Sequence, residues 1–112
     1  MKATKRRAIL VSILATPVLA AGAQTARPVR FIVPFPPGGT ADLLARLVAR
    51  EMENRLGAPV VVENRAGAGG VVGSDSVAKS PADGTTILLS NIASQGIAPA
   101  ILASMPYDVL RD

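Results

Sequence analysis

The sequence predicts an α/β fold of the doubly wound kind, with short parallel strands alternating with helices on the two faces of one sheet. Three observations carry that reading. Short apolar, β-branched runs recur along the chain at "PVRFIVP", "PVVVEN" and "TTILLS". Segments of helical periodicity separate them, and glycine-rich loops follow the first two runs. Strand, helix, strand, helix, strand with short connections is the pattern of such a sheet.

The first 23 residues stand apart from this scheme. "MKATKRR" carries four bases and no acid, Ala8 to Ala20 is apolar, and "AGA" at Ala21 to Ala23 supplies the small residues a signal peptidase reads. A secretory signal peptide cleaved between Ala23 and Gln24 is expected, and "RRAIL" loosely resembles a twin-arginine signal without its usual preceding serine. The apolar run, about 13 residues broken by Pro17, is shorter than the roughly 20 that span a bilayer. Of the twelve lysines and arginines four precede Gln24, so eight remain against eight acids and the formal charge falls from +4 to zero.

That balance excludes the basic, clustered surface of a nucleic-acid binder, and three aromatics are too few for base stacking. The chain contains no cysteine and no histidine, so neither a disulfide framework nor a Ser-His-Asp or Cys-His mechanism can be assembled from it.

Strand one, Pro28 to Pro34, reads as buried on both faces and ends at a proline that cannot donate to a ladder. The helix that follows starts near Thr40, taken as its N-cap, and stops at Gly57. Leu43, Leu44, Leu47, Val48, Met52 and Leu56 recur at helical spacing and predict its buried face, with Arg46, Arg50, Glu53 and Arg55 on the other side. Pro59 to Asn64 reads as a second buried strand. A short helix follows from about Val71 to Lys79, then a turn at "SPADG", a third strand at Thr85 to Ser90 and a helix over roughly Gln95 to Ala103.

Ligands of such sheets bind beyond the carboxyl ends of the strands, where both unusual loops should lie. In "PFPPGGT" two prolines stiffen the approach, two glycines bare the backbone, and a helix begins. This is either a tight turn or a seat for an anion at a helix N-terminus. "ENRAGAGGVVG" has the Gly67-x-Gly69 spacing of a dinucleotide fingerprint, but position 72 is valine and the loop follows the second strand. Close helix packing or a second backbone cradle accounts for it better. Asp42 is either a helix-dipole residue or a group that orients a ligand. Glu63 and Arg65 are read as a surface pair, and Tyr107 and Asp108 as a packing and turn motif.

In this order and spacing, the export signal, "PVRFIVPFPPGGTAD", "PVVVENRAGAGG", "VAKSPADGTT" and "MPYD" resemble the tripartite tricarboxylate transporter receptors, the Bug-type extracytoplasmic solute receptors. The resemblance implies a type II periplasmic binding protein, two α/β domains closing on a small carboxylate such as a di- or tricarboxylate or an amino acid. It further implies a non-enzymatic, monomeric receptor without metal or cofactor, which hands its ligand transiently to membrane transporter subunits. Carried over by position, Phe35, Pro37, Gly38, Gly39, Thr40 and Asp42 match the family's first ligand loop, and Asn64 with Gly67 to Gly70, Gly69 included, match the second. Receptors of this family run to roughly three hundred residues, as two ordinary domains require. Residues 24–112 are therefore expected to form the N-terminal part of the first domain, with a third strand left as an open edge and binding alone weak or absent. The competing reading is a fragment of an exported α/β hydrolase or transferase, for which Ser74 lies outside a G-x-S-x-G elbow.

Overall fold

A computed structural model of the chain describes residues 26–112. The expected signal peptide lies outside the described residues. The described part runs β1 (Val29–Val33), α1 (Thr40–Leu56), β2 (Val60–Asn64), a 3₁₀ turn (Ala68–Gly70), α2 (Val71–Ala78), β3 (Thr86–Leu88), a π-helical turn (Ala93–Ile97) and α3 (Ala98–Ile101). The last helical stretch thus begins two residues before the predicted Gln95 and ends two before Ala103.

The sheet has the order β2-β1-β3 and is parallel throughout, Phe31 pairing with Val62 on one side and Ile87 on the other. β1 is central, which is why its last three residues are buried. β2 is an edge strand, contrary to the buried strand predicted for it, and Val61 on it is half exposed. β3 is the opposite edge, as expected.

Side chains alternate across a strand, so Phe31 and Val33 share one face and Ile32 and Pro34 the other. The first face packs on α1 through Phe31, Val33, Ala45, Ala49 and Val60. On the second, Gly73 of α2 sits so close to Pro34 that a Cβ there would meet the proline's Cβ at 2.9 Å. Helices on both faces make the layer doubly wound. Burying side chains such as Phe31 and Val33 contributes about 1.5–3 kcal/mol each.

Against the predicted buried face, α1 turns Asp42, Ala45 and Ala49 inward. Leu43, Leu44, Leu47, Val48 and Leu56 are exposed, Leu43 by 61% and Leu47 by 59%. The reason is steric: alanines let the helix axis approach the sheet, and only Met52 of the predicted stripe packs at the margin of that contact. Gly57 ends α1 in the left-handed conformation (φ 63°), its N–H donating to Glu53 O at 2.9 Å. Glu53 also accepts the N–H of Val60 at 2.9 Å, which ties the helix end to the start of β2.

A second cluster, Val71, Ala98 and Tyr107, joins α2 to the C-terminal segment. Tyr107 donates its hydroxyl to Ser94 O at 2.7 Å, and Ser74, Ser94 and Gln95 are linked by hydrogen bonds of 3.1–3.2 Å. Arg30 on β1 forms a two-pronged pair with Glu63 on β2 (2.7 and 2.8 Å), so Glu63's main partner is Arg30, with Arg65 at 3.5 Å.

Candidate functional site

Because all three strands are parallel, the segments after β1, β2 and β3 emerge at one edge of the sheet. Beyond β1, Pro34 is fully buried and Phe35 half buried against the α1 core. Pro36 and Pro37 then lead to Gly38, whose φ of +86° few other residues tolerate. Gly39 (φ −85°, ψ 176°) is the N-cap of α1, one residue before the predicted Thr40, and no side chain caps it.

That one-residue shift changes what the helix end offers. The first helical bond runs from Leu43 N–H to Gly39 O at 3.0 Å. The N–H groups of Thr40, Ala41 and Asp42 precede it and have no acceptor within the helix. The partial positive charge of a 17-residue helix is concentrated where they point. A hollow of about 500 Å³ lined by Phe35 to Ala41 lies here, and a second of about 320 Å³ is lined by Gly38, Gly39, Thr40, Asp42, Leu43 and Arg46. A larger hollow of about 610 Å³ lies among Pro99 and Met105 to Leu110 and shares no residue with the loops.

Asp42 stands behind the helix mouth and is only 5% exposed. One carboxylate oxygen accepts from Gly38 N–H (2.9 Å) and Arg46 Nε (3.1 Å), the other from Asn64 Nδ2 (3.0 Å). The Arg46 bond first, then those from Gly38 and Asn64, pull its pKa down to about 2. Asn64 also donates to Phe35 O at 3.2 Å and accepts from Arg46 Nη2 at 3.4 Å.

The structure therefore gathers Phe35, Pro37, Gly38, Gly39 and Thr40 around one hollow and sets Asp42 and Asn64 behind them. Gly69 lines neither hollow. In the second loop the close-packing account holds at Gly70 and Gly73. A Cβ on Gly70 would lie 2.4 Å from Asn91 Nδ2, and one on Gly73 would lie 3.0 Å from Arg65 O. Ser74, considered as a nucleophile, is 3% exposed with its hydroxyl donated to Gly70 O.

Sequence reasoning placed Arg46 on the solvent side of α1 and gave it no role; its i, i+4 spacing from Asp42 was the available signal. It also passed over the loop after β3, where Asn91 Nδ2 is buried without a hydrogen-bond partner. The parallel third strand could have pointed there. Among the described residues no cluster of three metal-ligating side chains occurs, and no helix is long and apolar enough to cross a membrane.

Residues 44–112 match the family model described as tripartite tricarboxylate transporter family receptor. Over its whole length the chain is 49% identical to Protein BugT of Bordetella pertussis, of which it covers 36%. The described fold is similar to the periplasmic binding protein BugD (TM-score 0.69, 42% identity, covering 74% of this chain and 27% of that one). It is likewise similar to Rpa4515 of R. palustris, solved with adipate (TM-score 0.72, 36% identity, 80% and 30%). The chain thus spans about a third of the length of the relatives it matches.

Proposed function

Since the chain belongs to the tripartite tricarboxylate transporter receptor family, we propose that it forms the N-terminal part of a periplasmic, monomeric solute receptor that captures a small carboxylate for the membrane subunits of a transporter. One observation carries the reading: an uncapped helix N-terminus at the carboxyl edge of a parallel sheet, opening on a hollow of about 500 Å³. The N–H groups of Thr40, Ala41 and Asp42 receive one carboxyl group of the ligand. Phe35 and Pro37 form the apolar wall, Gly38 and Gly39 let the ligand reach the backbone, and Gly69 belongs to the second loop beside it. The relative solved with adipate supports a carboxylate ligand.

Magnitudes set the experiment. Hydrogen bonds to a charged group contribute about 1.5–3 kcal/mol each, and part of that is lost to ordering the ligand. A net of about 4 kcal/mol corresponds to a dissociation constant near 1 mM. NMR titration of the chain with adipate and citrate to about 10 mM should therefore shift the amide resonances of Thr40, Ala41 and Asp42, while adipamide, the uncharged analogue, should not. Equal shifts with adipamide, or none with either acid, would overturn the reading.

A further inference from the structure

We propose that the side chains of Asp42, Arg46 and Asn64 are positioning groups: they fix the Pro-Gly loop and the mouth of α1 for the ligand, and the Asp42 carboxylate and the Asn64 amide do not contact it. The inference rests on the carboxylate reading of this site.

Satisfiability argues for it. An asparagine amide has two N–H donors, and those of Asn64 go to Phe35 O and Asp42. Its oxygen takes Arg46. Both oxygens of Asp42 are engaged, one of them twice, and the side chain is buried. Neither residue has a donor left to turn toward an anion.

Their partners show what the contacts do. Phe35 O and Gly38 N–H lie at the two ends of the Phe35-Pro36-Pro37-Gly38 segment, and both are tied to the same pair of side chains, one from α1 and one from β2. Pro36 and Pro37 are stiff in themselves, so the freedom of the loop is concentrated at Gly38. The one side-chain bond to its N–H comes from Asp42. Holding that joint keeps the helix mouth in a single arrangement before a ligand arrives, which removes an ordering cost from binding. Arg46 has a second effect. A carboxylate ligand would settle beside the negative charge of Asp42, and the guanidinium 3.1 Å from that carboxylate offsets the repulsion.

The test compares Asp42→Asn, Asn64→Ala and their double variant in the full chain, by amide hydrogen exchange and by adipate titration. Gly38 exchange should quicken at least tenfold in each variant while the amides of β1 and β2 keep their protection. Adipate affinity should fall about tenfold in each single variant, and the double should be no worse than twofold beyond the weaker single, because the residues act as one unit. Arg46→Lys, which keeps the cation, should retain affinity within threefold where Arg46→Leu does not. Unchanged Gly38 exchange, or protection lost throughout the sheet, overturns the latch. Faster exchange with unaltered adipate affinity overturns its part in binding. A wild-type chain that answers neither adipate nor citrate overturns the carboxylate reading itself, and the exchange rates still judge the latch.

Discussion

Two glycine-rich loops leave the same edge of the sheet, and their glycines serve opposite ends. A Cβ on Gly38 would meet nothing within 4 Å, and one on Gly39 only Pro36 O at 3.9 Å. After β2, a Cβ on Gly70 in the loop would strike Asn91, and one on Gly73 in the first turn of α2 would strike Pro34 and the Arg65 carbonyl. The first loop is bare toward open space, whereas at Gly70 and Gly73 the protein itself fills the room; Gly69, with its nearest contact at 3.9 Å, is the exception. The bonds differ as well. The first loop is held by an ionised carboxylate, whereas the second closes through neutral contacts such as Gly70 N–H to Gly67 O and the Ser74 hydroxyl to Gly70 O.

The sharpest way to break this contrast is Gly70→Ala. The position has φ +101°, so the side chain adds backbone strain to the clash, and chemical denaturation should show a loss of about 2–4 kcal/mol. Gly73→Ala, with helical backbone but Cβ contacts of 2.9–3.0 Å, should lose about 1–3 kcal/mol. A loss below about 0.5 kcal/mol at both would mean that the second loop is no more filled than the first.

Acid separates the loops by their bonding. The folded pKa of Asp42 lies near 2, below the unfolded value of about 3.9, so its contribution is present above the unfolded value and is lost as pH falls through about 2. The Gly38 amide resonance should hold steady from pH 5 to about 3 and move on approaching 2. A midpoint near 4 would show that Arg46 and Gly38 do not grip the carboxylate in solution. The smallest effect on stability is expected for Gly39→Val. The conformation is one that valine adopts and the space is open, so stability should change by less than about 1 kcal/mol while the adipate response disappears. Retained binding would reduce the first loop to a turn.

Much of this architecture was legible from residue order. β1, α1 and β2 fall within one residue of their predicted limits, because Pro34, Gly57 and Pro59 punctuate them with local backbone chemistry. The inward face of α1 was not legible. Apolar residues occupy most of that helix's circumference, and the choice among faces was made by how closely Ala45 and Ala49 approach the sheet. Nor were the ties of Asn64 to Asp42 and Phe35, which span 22 and 29 positions and exist only once β2 lies beside α1. The Gly-rich composition of both loops was visible, but whether space or protein lay beyond each glycine depends on neighbours that no local pattern names.

The central place of β1 governs the timing of folding. Its partners begin at Val60 on one side and Thr86 on the other, and every rung of the sheet joins segments far apart in sequence. Closing such long loops costs entropy before any ladder returns it, so this sheet should assemble slowly compared with one built from hairpins. During synthesis the earliest strand waits for residue 88 before both its edges are paired. A nascent chain kept in that state leaves one edge of β1 unpaired until β3 has emerged.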